Sequence, residues 1–230
     1  MSFNDGDFVK IDYTARRTDG SLVYTTDEKV AKDADRFNAE ARYGPQLVVI
    51  GKDTVVKGVD AAVRGMAVGE AKKVELKPAD AFGERNEELV NVMRLSDFKE
   101  RDVYPQPGMQ VNIDGSIATI KSVNSGRVVV DLNHPLAGEV LVYDIRVVEK
   151  LESEDGKVKA IAEHYSLKPD GVSVSGKVAR LSFGASVEKN ADFVINKATA
   201  AEMVLRYLPS VEKVVTEEEY ARSKEGAKQA

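Results

Sequence analysis

Val9, Ile11 and Tyr13 alternate with Lys10 and Asp12 near the start of the chain, the period-two pattern of a strand with one buried face. Asp19-Gly20 then gives a hairpin-type turn signal. Residues 27–42 are charged and alanine-rich, which fits a short helix or a loop, and Tyr43-Gly44-Pro45 closes that stretch. Leu47-Val48-Val49-Ile50 reads as a buried strand, and residues 55–65 as a short helix. Alternation returns from Ala71 to Leu76, with Val74 and Leu76 on one face, and again from Val140 to Val148. Together these elements predict an α+β fold, an antiparallel sheet wrapped on one short helix.

Residues 84–134 interrupt that unit. Met109, Val111 and Ile113 alternate up to Asp114-Gly115, a strong hairpin turn. The apolar stretch from Ile117 to Val123 follows, then a turn at Asn124-Ser125-Gly126, then Val128, Val130 and Leu132 in a third strand. Ahead of them Leu89, Val92, Leu95 and Phe98 form an apolar set around a helical turn opening at Ser96. A mostly-β insert of about 50 residues is near the size at which a core becomes marginal. Its apolar side chains either make that core or stay exposed as a binding face, and the pattern does not choose.

Residues 151–230 read as a third, α+β unit. A linker turn at Glu152-Ser153-Glu154-Asp155-Gly156 precedes a helix carrying Val158, Ile161, Ala162 and Tyr165, which Lys168-Pro169-Asp170-Gly171 stops. Val172 and Val174 pair with the stretch from Val178 to Phe183 across Ser175-Gly176. A second helix follows from Ala198 to Leu208, then a strand from Val211 to Val215, and a helical turn and frayed tail from Glu217 onward. The expected division is therefore 1–83 with 135–150, an insert at 84–134, and 151–230.

Composition narrows the function classes. The 230 residues exceed one typical domain, and 43% hydrophobic content is enough for folded cores. A net charge of −5 gives no basic footprint for nucleic acid, and no apolar run is long enough to span a bilayer. The start Met1-Ser2-Phe3-Asn4-Asp5-Gly6-Asp7 has neither a basic nor an apolar stretch, so no secretory signal is expected and the cytoplasm is the expected compartment. There is no cysteine, and the only histidines are His134 and His164, so no disulfide, thiolate or soft-ligand metal cluster is expected. No phosphate loop, dinucleotide fingerprint or nucleophile elbow is present. His134, in the hinge of the insert, reads as structural.

Chemistry concentrates in residues 55–83. Val55, Val56 and Val59 crowd the start of a short helix, and Pro78-Ala79-Asp80-Ala81-Phe82-Gly83 brings an aromatic back towards it. Spacing alone favours a helix start packed into a core. A site made of such residues works by being dry and shaped, which suits a reaction with no covalent step.

Val55-Val56-x-Gly58-Val59, Gly65-x-x-x-Gly69 and Ala81-Phe82-Gly83 resemble, in that order, the pocket region of FKBP-type peptidyl-prolyl isomerases. The segments Val9 to Thr14, Asp19 to Val23 and Gly138 to Ile145 resemble that family's first strand, its following turn and strand, and its closing strand. Asn133-His134-Pro135-Leu136-Ala137-Gly138 resembles the end of the insert in the SlyD-like and long archaeal branch. The resemblance covers residues 3–150. It implies a peptidyl-prolyl cis-trans isomerase without cofactor or metal, acting on unfolded or proline-containing polypeptides with the insert as a chaperone domain. For the C-terminal unit it implies homodimerisation.

By the same resemblance the proline ring would sit on Val59, walled by Tyr13, Val55, Val56, Phe82 and Tyr143, with the Val56 N–H as donor and Leu136 closing one side. The family's floor is often tryptophan or leucine, so Val59 implies a shallower pocket. One departure stands out: in Asp19-Gly20-Ser21-Leu22-Val23-Tyr24, Tyr24 takes the place of a family carboxylate, with Thr25 or Asp27 as substitutes after a slip in register. Tyr24 and Val59 keep open a second reading, a holdase or assembly module with little or no isomerase activity. SlyD-like relatives often carry a nickel-binding histidine tail; this tail has no histidine, so that activity is not carried over.

Overall fold

The computed structural model describes residues 2–221. In chain order the first elements are β1 Phe8–Arg17, β2 Leu22–Thr25, α1 Glu28–Asp33, β3 Gln46–Val49, α2 Lys57–Arg64 and β4 Ala71–Leu76. Then come β5 Val90–Arg94, α3 Leu95–Lys99, β6 Gln110–Ile113, β7 Ser116–Asn124 and β8 Arg127–Asp131. The chain continues with β9 Leu141–Leu151, α4 Glu154–His164, β10 Gly171–Ser175, β11 Val178–Phe183, α5 Ala191–Tyr207 and β12 Lys213–Glu218. The α+β class read from the pattern is what the structure has.

Two compact units emerge. One comprises Met1–Ala15, Leu22–Val74 and Tyr143–Ala230; the other comprises Arg16–Ser21 and Glu75–Val142. Strand order in the main sheet is β2-β1-β9-β4, with β3 also pairing antiparallel to β1 from Phe8↔Val49 to Ile11↔Gln46. Helix α2 buries Val59, Ala62 and Val63, the i, i+3, i+4 face of a short amphipathic helix.

Residues beyond 150 share a core with the first strands. Phe8, Leu47 and Val49 lie in one buried cluster with Val158, Ile161, Leu181, Phe183 and Val204. Lys150 pairs with Asp7 at 3.0 Å, and Lys10 with Glu163 at 3.8 Å. The three-stranded sheet there has the order β10-β11-β12, and β12 runs parallel to β11. That pairing extends to Ser182↔Glu217 and Phe183↔Glu218, so Glu217 and Glu218 are strand residues and not the helical turn expected. Glu218 is held by Lys197 from α5. Helix α5 begins seven residues ahead of the expected Ala198, because the Asn190 side chain accepts from Phe193 N at 2.9 Å and caps it. The tail expected beyond the last strand lies, from residue 222, outside the described residues.

The second unit holds a four-stranded sheet of order β5-β8-β7-β6. Its hairpin turns follow the local chemistry: Asp114 and Gly115 have φ of 49° and 87°, Ser125 and Gly126 have 47° and 78°, the doubly positive pattern of type I′ turns. β5 was not expected. The three-residue spacing of Leu89, Val92, Leu95 and Phe98 mimics a helix, but the edge of β8 offers Val90–Arg94 a complete antiparallel ladder, and only Leu95 and Phe98 pack inward from a helix. Phe98, Ala118, Ile120, Val128 and Val130 form a small buried core.

Two asparagines close the neck of this unit. Asn86 N donates to Asn133 Oδ1 and Asn133 Nδ2 donates to Asn86 O, each at 2.8 Å. Asn133 also donates from N and Nδ2 to Asp131 Oδ1, at 3.0 and 2.8 Å, and Arg85 pairs with the other Asp131 oxygen. Alanine at Asn133 leaves several of these groups unsatisfied, at about 1–3 kcal/mol for each that stays buried. Urea titration of Asn133→Ala in the full chain should show a clearly lower midpoint than the parent.

Burial opposes ionisation of Asp131, but the Asn133 hydrogen bonds and Arg85 outweigh it and hold its carboxyl below the usual 3.8. A carboxyl depressed in the folded state stabilises the fold above its unfolded pKa and loses that contribution as pH falls through the folded value. Thermal melts should therefore show parent and Asp131→Asn converging as the pH is lowered below 3.8.

Candidate active site

Tyr13 sits midway along β1, and one buried threonine determines what lies on it. Thr26 N donates to Tyr13 O at 3.0 Å, and Tyr13 N donates to Thr26 Oγ1 at 3.0 Å. The same hydroxyl donates to Asp12 Oδ1 at 3.0 Å. The exit of β2 is thereby pinned to β1, and Tyr24 lies across Tyr13 with ring centroids 5.2 Å apart and planes at 29°. Strand β9, the next neighbour of β1 in the sheet, supplies Tyr143, 5.9 Å from Tyr13 at 31°. The result is a wall of three phenols with Tyr13 in the middle.

Exposure grades across the wall: Tyr143 is 4% exposed and Tyr24 42%. All three phenols are pushed up from their ordinary pKa. Burial raises Tyr13 most, with Tyr24 and Tyr143 adding to it. Burial also raises Tyr143. In Tyr24 burial outweighs the opposing effect of the neighbouring Tyr13 hydroxyl. The wall is therefore uncharged at neutral pH.

The two residues read as substitutes for the missing carboxylate are engaged elsewhere. Thr25 is buried, shares a 2.8 Å hydrogen bond with the Thr14 hydroxyl and accepts from Asp27 N at 3.1 Å. Asp27 caps α1, accepting from Lys29 N and Val30 N at 2.8 and 3.2 Å. The place beside Tyr13 belongs to Tyr24.

Val55 and Val56 are half-buried at the start of α2, where Val56 is the N-cap. Its carbonyl accepts from Val59 N and Asp60 N, while its own N–H stands outside the intrahelical ladder. Thr54 fixes the approach, accepting from Val49 N at 3.0 Å. Val59 is only 1% exposed, so it can act as a floor only when its covering neighbours part.

Phe82 and Leu136 belong to the second unit. Phe82 stacks on His134 with centroids 4.3 Å apart and planes at 2°, and Leu136 N donates to His134 Nδ1 at 3.1 Å. His134 is thus a packing residue of the neck. Sequence reasoning missed Thr26 and Asn133. A short polar residue that is almost completely buried gives no signal in hydropathy, although Thr25-Thr26-Asp27 after a strand is a cue to side-chain hydrogen bonds with the backbone.

An open groove of about 840 Å³ adjoins Tyr13, lined also by Asp12, Lys72, Asp144 and Arg146. These charged groups keep it wet, unlike the dry site expected from the sequence.

Residues 1–94 match the family model described as FKBP-type peptidyl-prolyl cis-trans isomerase, and residues 91–136 match that of the FKBP26 IF domain. The chain is 37% identical over 151 residues to the short-type peptidyl-prolyl cis-trans isomerase of Methanocaldococcus jannaschii, covering 65% of this chain and 96% of that one. It is 33% identical over 149 residues to the FKBP-type peptidyl-prolyl cis-trans isomerase SlyD of Pasteurella multocida, covering 63% and 67%. Against the FKBP-type 16 kDa peptidyl-prolyl cis-trans isomerase of Escherichia coli it is 29% identical over 136 residues, covering 56% and 88%.

Proposed function

Since this chain belongs to the FKBP-type peptidyl-prolyl cis-trans isomerases, we propose that the phenol wall and the valines at the start of α2 carry that isomerase activity on unfolded polypeptides. Rotation about an X-Pro bond has a barrier of ~18–20 kcal/mol because twisting breaks amide resonance. The planar amide is the more polar form, and water stabilises it over the twisted one. A surface that strips water from the bond while holding the proline ring therefore favours the twisted state. No bond to carbon or hydrogen breaks, so positioned apolar groups suffice.

The observation that carries this reading is the stacked trio Tyr13, Tyr24 and Tyr143, uncharged and graded from buried to open. In the proposed pocket Val55 and Val56 give aliphatic contact, the Val56 N–H donates to the substrate carbonyl, and Val59 lies beneath. Phe82 and Leu136 are assigned to this role on resemblance. Such a catalyst speeds a slow step of folding.

The insert is proposed as the part that captures unfolded chain. Val92 and Ile117 stand on the face of its sheet opposite the core, Ile117 being 66% exposed, and Tyr104 is exposed as well. A separate groove of about 300 Å³ is lined by Met93, Phe98, Val103, Met109, Val111 and Ile113. Exposed apolar surface on so small a unit suits weak, sequence-tolerant binding. Tethering raises the concentration of bound chain near the isomerase pocket.

Two copies are proposed to pair through α5, and the compartment is proposed to be the cytoplasm. Helix α5 buries Phe193, Ala200 and Val204, yet Val194, Ile195, Ala198 and Leu205 are exposed along another stripe. Small residues between larger ones let two antiparallel copies nest about a two-fold axis. Among the described residues no helix is long and apolar enough to cross a membrane.

A protease-coupled proline-peptide assay on the full chain should show catalysed isomerisation. Deleting residues 86–132 and bridging the gap with a short turn should leave short-peptide turnover largely intact and sharply reduce refolding of a denatured protein. An equal fall in both would defeat the division of labour, and no turnover in the parent would favour the holdase reading. Sedimentation should give a dimer for the parent and a monomer for Ile195→Glu; a monomeric parent rules out the pairing.

A further inference from the structure

Between the end of β3 and the start of α2 the chain makes a tight return. Gly51 and Asp53 both take positive φ, 71° and 53°, and the loop is tied down at two points. At one, Gly51 N donates at 2.8 Å to Asp60 Oδ1 in the first turn of α2. At the other, the Thr54 hydroxyl accepts from Val49 N at 3.0 Å and donates to Val49 O at 3.3 Å. Strand β3 pairs with β1, so at its other edge Thr54 satisfies backbone groups that a further strand would have taken. Val55 and Val56 come next, and Val56 caps α2 with no side-chain hydrogen bond. A valine brings no oxygen to the free N–H groups of the helix start, so the place of these two residues depends on what holds Thr54. Thr54 also meets the residues beyond 150. It bounds a cavity of about 30 Å³ with Val49, Ile161 and His164 of α4, and Met203 and Tyr207 of α5. Met203 and Tyr207 pack on the same buried cluster that holds Val49 and Ile161.

Resting on the isomerase reading above, we propose that Thr54 is a positioning residue of the site, and that α4 and α5 set the place of Val55 and Val56 through it. The hydroxyl ties the loop to β3 from one side, and the helix side chains press on it from the other. Loss of either support lets the loop move outward and carries the Val56 N–H away from the substrate carbonyl. A misplacement of about 1 Å is enough to slow a positioned reaction by up to about a hundredfold. The residues beyond 150 therefore have a task besides any pairing of copies: they buttress the aliphatic side of the pocket. Thr54 touches no substrate in this account and acts only through the two valines that follow it.

The test measures kcat/KM on a proline peptide with the full chain, at a temperature well below the melting point of every variant. Thr54→Val keeps the shape and removes the hydroxyl; it should lower kcat/KM by roughly five- to tenfold, the worth of one hydrogen bond. Thr54→Ser keeps the hydroxyl and should stay within about twofold of the parent. Met203→Ala widens the cavity behind Thr54 and should lower kcat/KM by roughly two- to fivefold through the shift of the valines. Both changes act on one loop, so the double variant Thr54→Val with Met203→Ala should lose less than the product of the two. Phe193→Leu is the control. It trims the same core at the other end of α5, and should lower the melting temperature while leaving kcat/KM within about twofold. An unchanged rate in Thr54→Val, a loss in Thr54→Ser as large as in Thr54→Val, or a loss in Phe193→Leu as large as in Met203→Ala would overturn the proposal while leaving an active isomerase. If Thr54→Val does not fold, Met203→Ala against Phe193→Leu decides. An inactive parent would overturn the isomerase reading and this proposal with it.

Discussion

Strand β1 changes its surroundings along its length, and the rest of the chain is arranged around that change. Over its first residues both faces are sealed: Phe8, Val9 and Ile11 are all buried, Phe8 in the core it shares with the C-terminal residues. From Asp12 onward one face opens, and Tyr13 becomes the centre of an aromatic wall. A single extended segment can do both jobs because successive side chains point to opposite faces. The sealed half anchors the strand, and the anchored strand holds a phenol at a fixed place beside two others.

The chemistry proposed for this wall is modest, and its composition suits that proposal. Twisting an amide needs neither a nucleophile nor a relay that moves protons to carbon, so selection acts on dryness, shape and one or two hydrogen-bond donors. Phenols satisfy all three, since a ring excludes water and its hydroxyl still orients a carbonyl. Thr26 matters as much as the rings do. With bonds to Tyr13 N, Tyr13 O and Asp12, it fixes the geometry by which β2 delivers Tyr24.

How much of this could be read from residues alone depended on the kind of signal. Period-two alternation placed β1, β4 and β9, the apolar run from Leu47 to Ile50 placed β3, and Asp114-Gly115 placed its hairpin, because these patterns follow from local sterics and burial. β5 was hidden because an apolar spacing of three residues fits a helix until a neighbouring strand supplies the ladder. The extent of β12 was hidden for the same reason: charged Glu217 and Glu218 look like solvated helix until Phe183 and Lys197 are in place. At the proposed site, the resemblance named Tyr13, Tyr24 and Tyr143 one by one, but their stacking was not legible, since it rests on Thr26. The shared core of Phe8 and Leu181 lay beyond pattern reading, because the two positions are far apart in the chain.

That shared core bears on the order of events during synthesis. A ribosome releases Phe8, Leu47 and Val49 long before it makes Val158, Leu181 or Val204, the residues that cover them. Until then the emerging chain carries an uncovered greasy face on its earliest strands, while the insert, whose partners are nearly all local, can already have closed. A protein whose earliest strands wait for its last third completes its core only late in synthesis, after the insert proposed to capture unfinished chains can have folded.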